Sequence, residues 1–186
     1  MDKEKSFEIQ LTEFKVLRNE IEYRTKAQYT LLTINIIGLS SVLSIVYSQY
    51  LYSFELLMII PWFSSISGLL FLEHDFSIAR IGCYIMNIIA PKLREICGDN
   101  DILSWETWIR NIPGYIEISR KLAFYLSVPT IFLLPSFIVL LMFTKPDYDL
   151  QHILLLSLSW SIYMVTLGLW VYRPFYWKNI CSYLKK

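Results

Sequence analysis

Histidine, cysteine and glycine are scarce in this chain, and each scarcity removes a class of function. There are two histidines, three cysteines and six glycines among 186 residues. Cys83, Cys97 and Cys181 follow no zinc-ligand spacing, so no metal and no cofactor is expected. The glycines form no phosphate-cradling loop, and there is neither an internal repeat nor a low-complexity linker. Catalysis needs a nucleophile and a base within hydrogen-bond reach. The serines have no partner base, and Glu73 and Asp75 do not form a cation site on one helix face, so the chain is not expected to be an enzyme. The net charge of +1 implies nothing about nucleic acid.

Charge is missing from four long stretches, 27–54, 56–72, 122–144 and 150–172. A helix rises about 1.5 Å per residue and a bilayer core is about 30 Å thick, so about 20 apolar residues span it. All four stretches are expected to cross, giving an all-α polytopic membrane protein with transmembrane helices at 27–47, 56–72, 122–144 and 150–172. The first stretch exceeds one span, and Ser48, Gln49 and Tyr50 are expected to turn the chain. The second is short for a span, a mismatch that local thinning or oligomerisation absorbs. Four apolar core helices in a soluble protein would need more amphipathic chain around them than 186 residues supply.

Lys and Arg are distributed unevenly around these stretches. Six precede the first span, six lie in 73–121 and four in 173–186, whereas the loop between spans one and two has none and that between three and four has only Lys145. The positive-inside rule then places both termini and 73–121 in the cytoplasm. Tyr47, Tyr50, Tyr52 and Phe54, and Tyr172, Phe175, Tyr176 and Trp177, fall where headgroups are expected. A charged segment of both signs precedes the first apolar run, which does not read as a cleavable signal. All three cysteines map to the cytoplasmic side, so disulfides are not expected. The whole reads as a single membrane domain.

The extramembrane parts carry helical periodicity. Phe7, Leu11, Phe14, Leu17 and Ile21 predict an amphipathic helix over 1–26 that runs into the first span. Ile78, Ile81, Ile85, Ile88 and Ile89 predict another from Glu73 to Pro91, resuming to Cys97 before a loop at Gly98 to Asp101. Ser104 can cap a short helix bearing Trp105, Glu106 and Trp108.

Polar residues gather at the inner boundary. Glu20, Arg24 and Gln28, spaced by four, share a helix face at the entry to span one, and Glu73, His74, Asp75 and Arg80 leave span two. Antiparallel packing would bring both groups to one level, with Arg24 facing Glu73 or Asp75. Such charges fix helix register, or they control a gate or ligand contact; the residues alone leave both readings open.

The spans hold no ionisable group at mid-depth, which argues against coupling to buried carboxylates. On span one Thr30, Thr33, Ser41, Ser44 and Ser48 lie close to one face, with Asn35 and Ser40 flanking it. Small residues let helices approach closely, which is the reading for Ser64, Ser65, Ser67 and Gly68 on span two and for Ser157, Ser161 and Gly168 on span four. A line of hydroxyls is also what a water-lined wall needs once several copies form a ring, and Thr33, Ser41, Ser44 and Ser48 are the expected pore-lining residues. Pro61, Pro129 and Pro135 interrupt spans two and three, and the carbonyls they free are expected to find partners on neighbouring helices or at Ser127, Thr130 and Ser136.

The run Leu17-Arg18-Asn19-Glu20-Ile21 with Arg24 and Gln28, then Glu73-His74-Asp75 with Ile78, Ile81 and Tyr84, then Trp105-Glu106, resembles a group of small uncharacterised bacterial four-helix membrane proteins. In size and layout the chain is also similar to membrane effectors and accessories of anti-phage systems, among them CRISPR-associated accessory membrane proteins and the Hailong-type membrane effector. The resemblance implies a homo-oligomeric pore or a membrane-disrupting protein in the bacterial inner membrane, controlled from the cytoplasm by a nucleotide, an oligonucleotide or a protein. Glu20, Arg24, Gln28, His74, Asp75 and Arg80 would be its control cluster. A different class is a non-conducting scaffold that recruits a cytoplasmic partner through the N-terminal helix, Trp105 and Trp108; a small-solute transporter is a third.

Overall fold

The computed structural model describes residues 3–49, 54–99, 101–103, 126–143 and 149–183, and all regular structure among them is helical. Helix α1 is Lys3–Gln49, α2 Phe54–Tyr84, α3 Ala90–Cys97, α4 Val128–Met142 and α5 Leu150–Tyr183, with a π-helical turn, Ile85–Ile89, between α2 and α3. Helices α1 and α5, and the stretch from α2 through α3, are each long and apolar enough to cross a membrane. The third expected span, 122–144, appears as α4 and lies outside the described residues at 122–125 and 144.

Continuity of α1 from Lys3 agrees with the amphipathic repeat running unbroken into the apolar stretch. The chain 73–97 likewise stays helical after Glu73. At its far end the Ala90 N–H reaches back five residues to the Ile85 carbonyl, and Pro91 follows in the first turn of α3. Gly98 closes α3 in the left-handed region, φ 68°, its N–H on the Arg94 carbonyl at 2.9 Å. One difference lies at the C-terminal side: 173–186 reads as a tail, yet α5 continues through Pro174 to Tyr183. The N–H that Pro174 lacks removes one helical bond and does not end the helix.

The chain divides into two compact units. Unit 1 comprises Met1–Ala27, His74–Lys121 and Pro174–Lys186; unit 2 comprises Gln28–Glu73 and Leu122–Arg173. Unit 2 is bounded at or next to the span limits read from the sequence, and of the 17 basic residues it holds only Lys145 and Arg173.

Within unit 2 polar residues join Met58, Ile60, Leu72, Phe132 and Leu140 in the interior, while the outer surface is rich in large apolar side chains. Gln28, Asn35, Ser64, Ser65, Ser67, Ser136, Ser159, Thr166 and Arg173 are buried, while Leu43, Leu70, Leu134, Ile138, Leu154, Leu158 and Val165 are exposed. In water that arrangement would leave a large apolar surface uncovered. In hydrocarbon it is the favourable one, because polar groups must bond inside and apolar side chains lose nothing by facing lipid. The apolar window of the α2–α3 stretch is 56% buried against 11% for α1 and 22% for α5, so α2 is the central helix of this unit.

Helix α1 runs antiparallel to α2: Gln28 pairs with the Phe71 carbonyl, Asn35 with Ser64, and Gly38 lies against Phe63, where an added Cβ would sit 2.5 Å from the ring. Helix α5 buries Ser159, Tyr163, Thr166, Trp170 and Arg173, an alternating spacing of four and three that makes a narrow seam. Trp170 stacks on Phe71 and Phe132 at centroid distances of 5.7 and 6.3 Å, and the Arg173 guanidinium lies 5.1 Å from the Trp170 ring. Gly68 gives Phe132 its place, with only 3.3 Å between an added Cβ and the Phe132 Cβ.

Two expectations are corrected. Close packing holds for Ser64, Ser65, Ser67 and Gly68, but Ser157, Ser161 and Gly168 are exposed, and nothing lies within 4 Å of a Cβ built at Gly168. Small size permits approach without causing it, and the larger residues of the seam took the interior. The cysteines differ too: Cys83 is buried and disulfide-bonded, while Cys97 is free and exposed. Spacing along the chain does not report which thiols tertiary packing brings together.

Candidate functional site

The polar residues singled out at the inner boundary divide between the units, and each group has its own partners. In unit 1, one turn of α1 brings Glu20 and Arg24 together, Nε to Oε1 2.6 Å. A second pair, Glu22 and Lys26, meets at 2.6 Å on an exposed face. The lysine's hydrogen bond and charge hold the Glu22 carboxyl below its usual range. Both glutamates precede their cations by four residues, the favourable orientation on a helix.

On the α2 side of the same unit Asp75 is 3% exposed and accepts a hydrogen bond from Trp177 Nε1–H of α5 at 2.9 Å. Phe76 and Tyr176 meet beside it with ring centroids 4.5 Å apart. His74 is half-buried, and the exposed Arg80 donates from Nη2 to Ser77 Oγ at 3.0 Å. Farther along, the Tyr84 hydroxyl donates to Glu13 Oε1 at 2.8 Å, joining α1 to α2. That hydrogen bond, with burial and the charge of Glu13, raises the Tyr84 pKa.

Gln28 belongs to unit 2, where its Nε2 makes a long contact, 3.4 Å, to the Phe71 carbonyl. Trp105 and Trp108 lie outside the described residues. Glu20 and Arg24 are thus joined, as are Asp75 and Trp177, and Arg80 and Ser77.

Trp177 and Tyr84 are the participants the sequence reading missed. Trp177 stands out only as an interfacial aromatic, and nothing in its spacing points to a carboxylate 102 positions away. Glu13 and Tyr84 are separated by 71 positions, and only the antiparallel course of α1 and α2 connects them.

The expected lining residues Thr33, Ser41, Ser44 and Ser48 are all exposed on α1. Each residue turns a helix by about 100°, which puts them opposite the buried Gln28, Asn35 and Val46. Thr33, Ser41 and Ser48 donate to the carbonyls of Tyr29, Ile37 and Ile45 of their own helix. Each hydroxyl oxygen keeps its acceptor capacity toward whatever lies beyond. Ile36, Ile37, Ser40, Ser41, Ser44 and Ile45 line a shallow open depression on this face.

Among the described residues no group of three or more His, Cys, Asp or Glu is placed to hold a metal ion. Fold and site together define an all-α protein in which three helical stretches are long and apolar enough for a membrane and in which several polar side chains are buried among apolar ones. No protein family, curated protein or solved structure matches the chain.

Proposed function

We propose that this chain is a bacterial inner-membrane protein that crosses the bilayer four times, with both termini cytoplasmic, and assembles into an oligomeric pore. It depolarises the membrane as an effector of anti-phage defence, in answer to a nucleotide, oligonucleotide or protein signal received by unit 1. The observation that carries the reading is the exposed line Thr33, Ser41, Ser44 and Ser48 on α1, opposite its buried seam. Three of these hydroxyls already donate within α1, and lipid offers nothing to their remaining acceptor capacity, whereas water in a ring of copies does. The apolar outer surface and the buried polar side chains of unit 2 support the bilayer, and the concentration of basic residues in unit 1 supports the cytoplasmic side.

The test follows membrane potential with a voltage-sensitive dye in a bacterial host carrying the native gene neighbours, during phage infection. Wild type is expected to depolarise the cells, and Ser41→Leu and Ser44→Leu together to slow depolarisation about tenfold at equal membrane level, the effect of about 1.4 kcal/mol on a barrier. Depolarisation at an unchanged rate in the double variant removes α1 from the wall. No depolarisation by wild type rejects the pore.

A non-conducting scaffold is the second reading, and one observation favours it. Ile9, Val16 and Tyr23 stand seven residues apart on α1 in unit 1 and are 49, 61 and 68% exposed, an apolar line of the kind a helical partner covers. Under that reading Val16→Glu abolishes partner capture and leaves permeability unchanged.

A further inference from the structure

Pro135 stands inside α4 and has no N–H, so the Ile131 carbonyl, four residues earlier, loses its helical donor. Ser136, the adjacent hydroxyl, does not replace it, because it donates to the Phe132 carbonyl at 3.2 Å. Asn35 of α1 does: its Nδ2–H reaches Ile131 O at 3.2 Å, and its Oδ1 accepts from Ser64 Oγ of α2 at 2.9 Å. The orientation of the amide follows from chemistry, since a carbonyl oxygen only accepts and the NH2 must face it. Asn35 is 0% exposed, and the other buried residues of α1 in unit 2 are Gln28 and Val46. Among the residues of α1 whose burial is described, two of the three buried ones are therefore amides.

Resting on the reading that unit 2 lies in a bilayer, we propose that Asn35 is a latch whose need is created by Pro135. In hydrocarbon no hydrophobic force presses α1 onto its neighbours, and an orphaned carbonyl is costly. The proline makes that carbonyl available, and the asparagine turns it into the attachment of α1 to α4, with Ser64 tying the same amide to α2. The coupling has a distinctive sign. Restoring an N–H at position 135 gives Ile131 its own helical donor and makes Asn35 dispensable, whereas Ser64, once released, can turn to a carbonyl one turn back.

The experiment is a double-mutant cycle on the full chain in detergent micelles, read as the thermal midpoint of Asn35→Leu, Pro135→Ala and the double variant. Asn35→Leu is expected to lower the midpoint by about 5 °C or more. In the Pro135→Ala background the drop is less than half as large. Where Asn35→Leu yields no folded protein, the cycle is read as recovery of monodisperse protein on adding Pro135→Ala. Equal drops in both backgrounds, absence of recovery, or a Pro135→Ala chain that does not fold overturns the latch. Protein released from membranes without detergent overturns the bilayer reading instead, so the two failures are separable.

Discussion

Asp75 carries a carboxylate into a nearly closed position, and its hydrogen bond from Trp177 joins α2 to α5 within unit 1. Asp75→Leu is expected to cost about 1–3 kcal/mol, because the indole N–H is left half-buried without its acceptor, while Asp75→Asn retains an acceptor and costs less. Chemical denaturation of the two variants decides the matter; equal losses would show that the bond contributes nothing. Tyr84 makes the pH-dependent contact. Its hydroxyl donates to Glu13 and its pKa lies above the ordinary 10.0, so the folded chain holds that proton more tightly than the unfolded one. The stabilisation is complete below about pH 10 and is lost as pH rises through the folded value. Tyr84→Phe is expected to remove that alkaline component, seen as a flatter profile of unfolding midpoint against pH.

At the scale of elements, α5 sets a test of which face is inside. Ser159 and Thr166 belong to its buried seam and Ser157 and Ser161 to its exposed side. Ser157→Leu and Ser161→Leu are expected to change stability by less than about 0.5 kcal/mol, while Thr166→Leu, which overpacks the contact with Gly68, costs about 1–3 kcal/mol. Thermal midpoints in micelles would read both. Helix placement was partly legible in the sequence, because uncharged runs and the stop at Gly98 act locally, but the break expected at Pro91 falls instead in the π-helical turn at Ile85–Ile89, and Ser48 and Gln49, expected to turn the chain, belong to α1. The faces of α5 were not: Ser157, Ser161 and Gly168 repeat as regularly as Ser159, Tyr163 and Thr166, and only the neighbouring helices decide which set turns inward. For the same reason the sequence brought Glu20 to Arg24 on one turn but could not reach from Asp75 to Trp177. Asn35 reads as a flank of the hydroxyl line and becomes a tie only through a carbonyl on another helix. The limit at 172 errs in the opposite direction, since charge returns at Arg173 and ends the apolar run without ending the helix, which continues to Tyr183.

For the whole molecule, the uneven distribution of basic residues makes a prediction about sides. Cys97 is free, exposed and part of unit 1, which the proposed orientation places in the cytoplasm. A membrane-impermeant maleimide is expected to leave it unlabelled in intact spheroplasts and to label it once the membrane is permeabilised; labelling from outside would invert the orientation. In denatured protein, mass spectrometry should show Cys83, which is buried and disulfide-bonded, taking up label only once a reductant is added. The π-helical turn at Ile85–Ile89 has a consequence for the length of the chain. A wide turn takes in one residue beyond what a regular helix would use, so this stretch holds slack. Shortening the chain by one residue there, for instance by deleting Ile88, should let the turn close to regular pitch and leave Leu93 facing as before, whereas the same deletion at Ala79 would rotate everything downstream by about 100°. Few positions in a helical protein can lose a residue outright; here the spare one is visible.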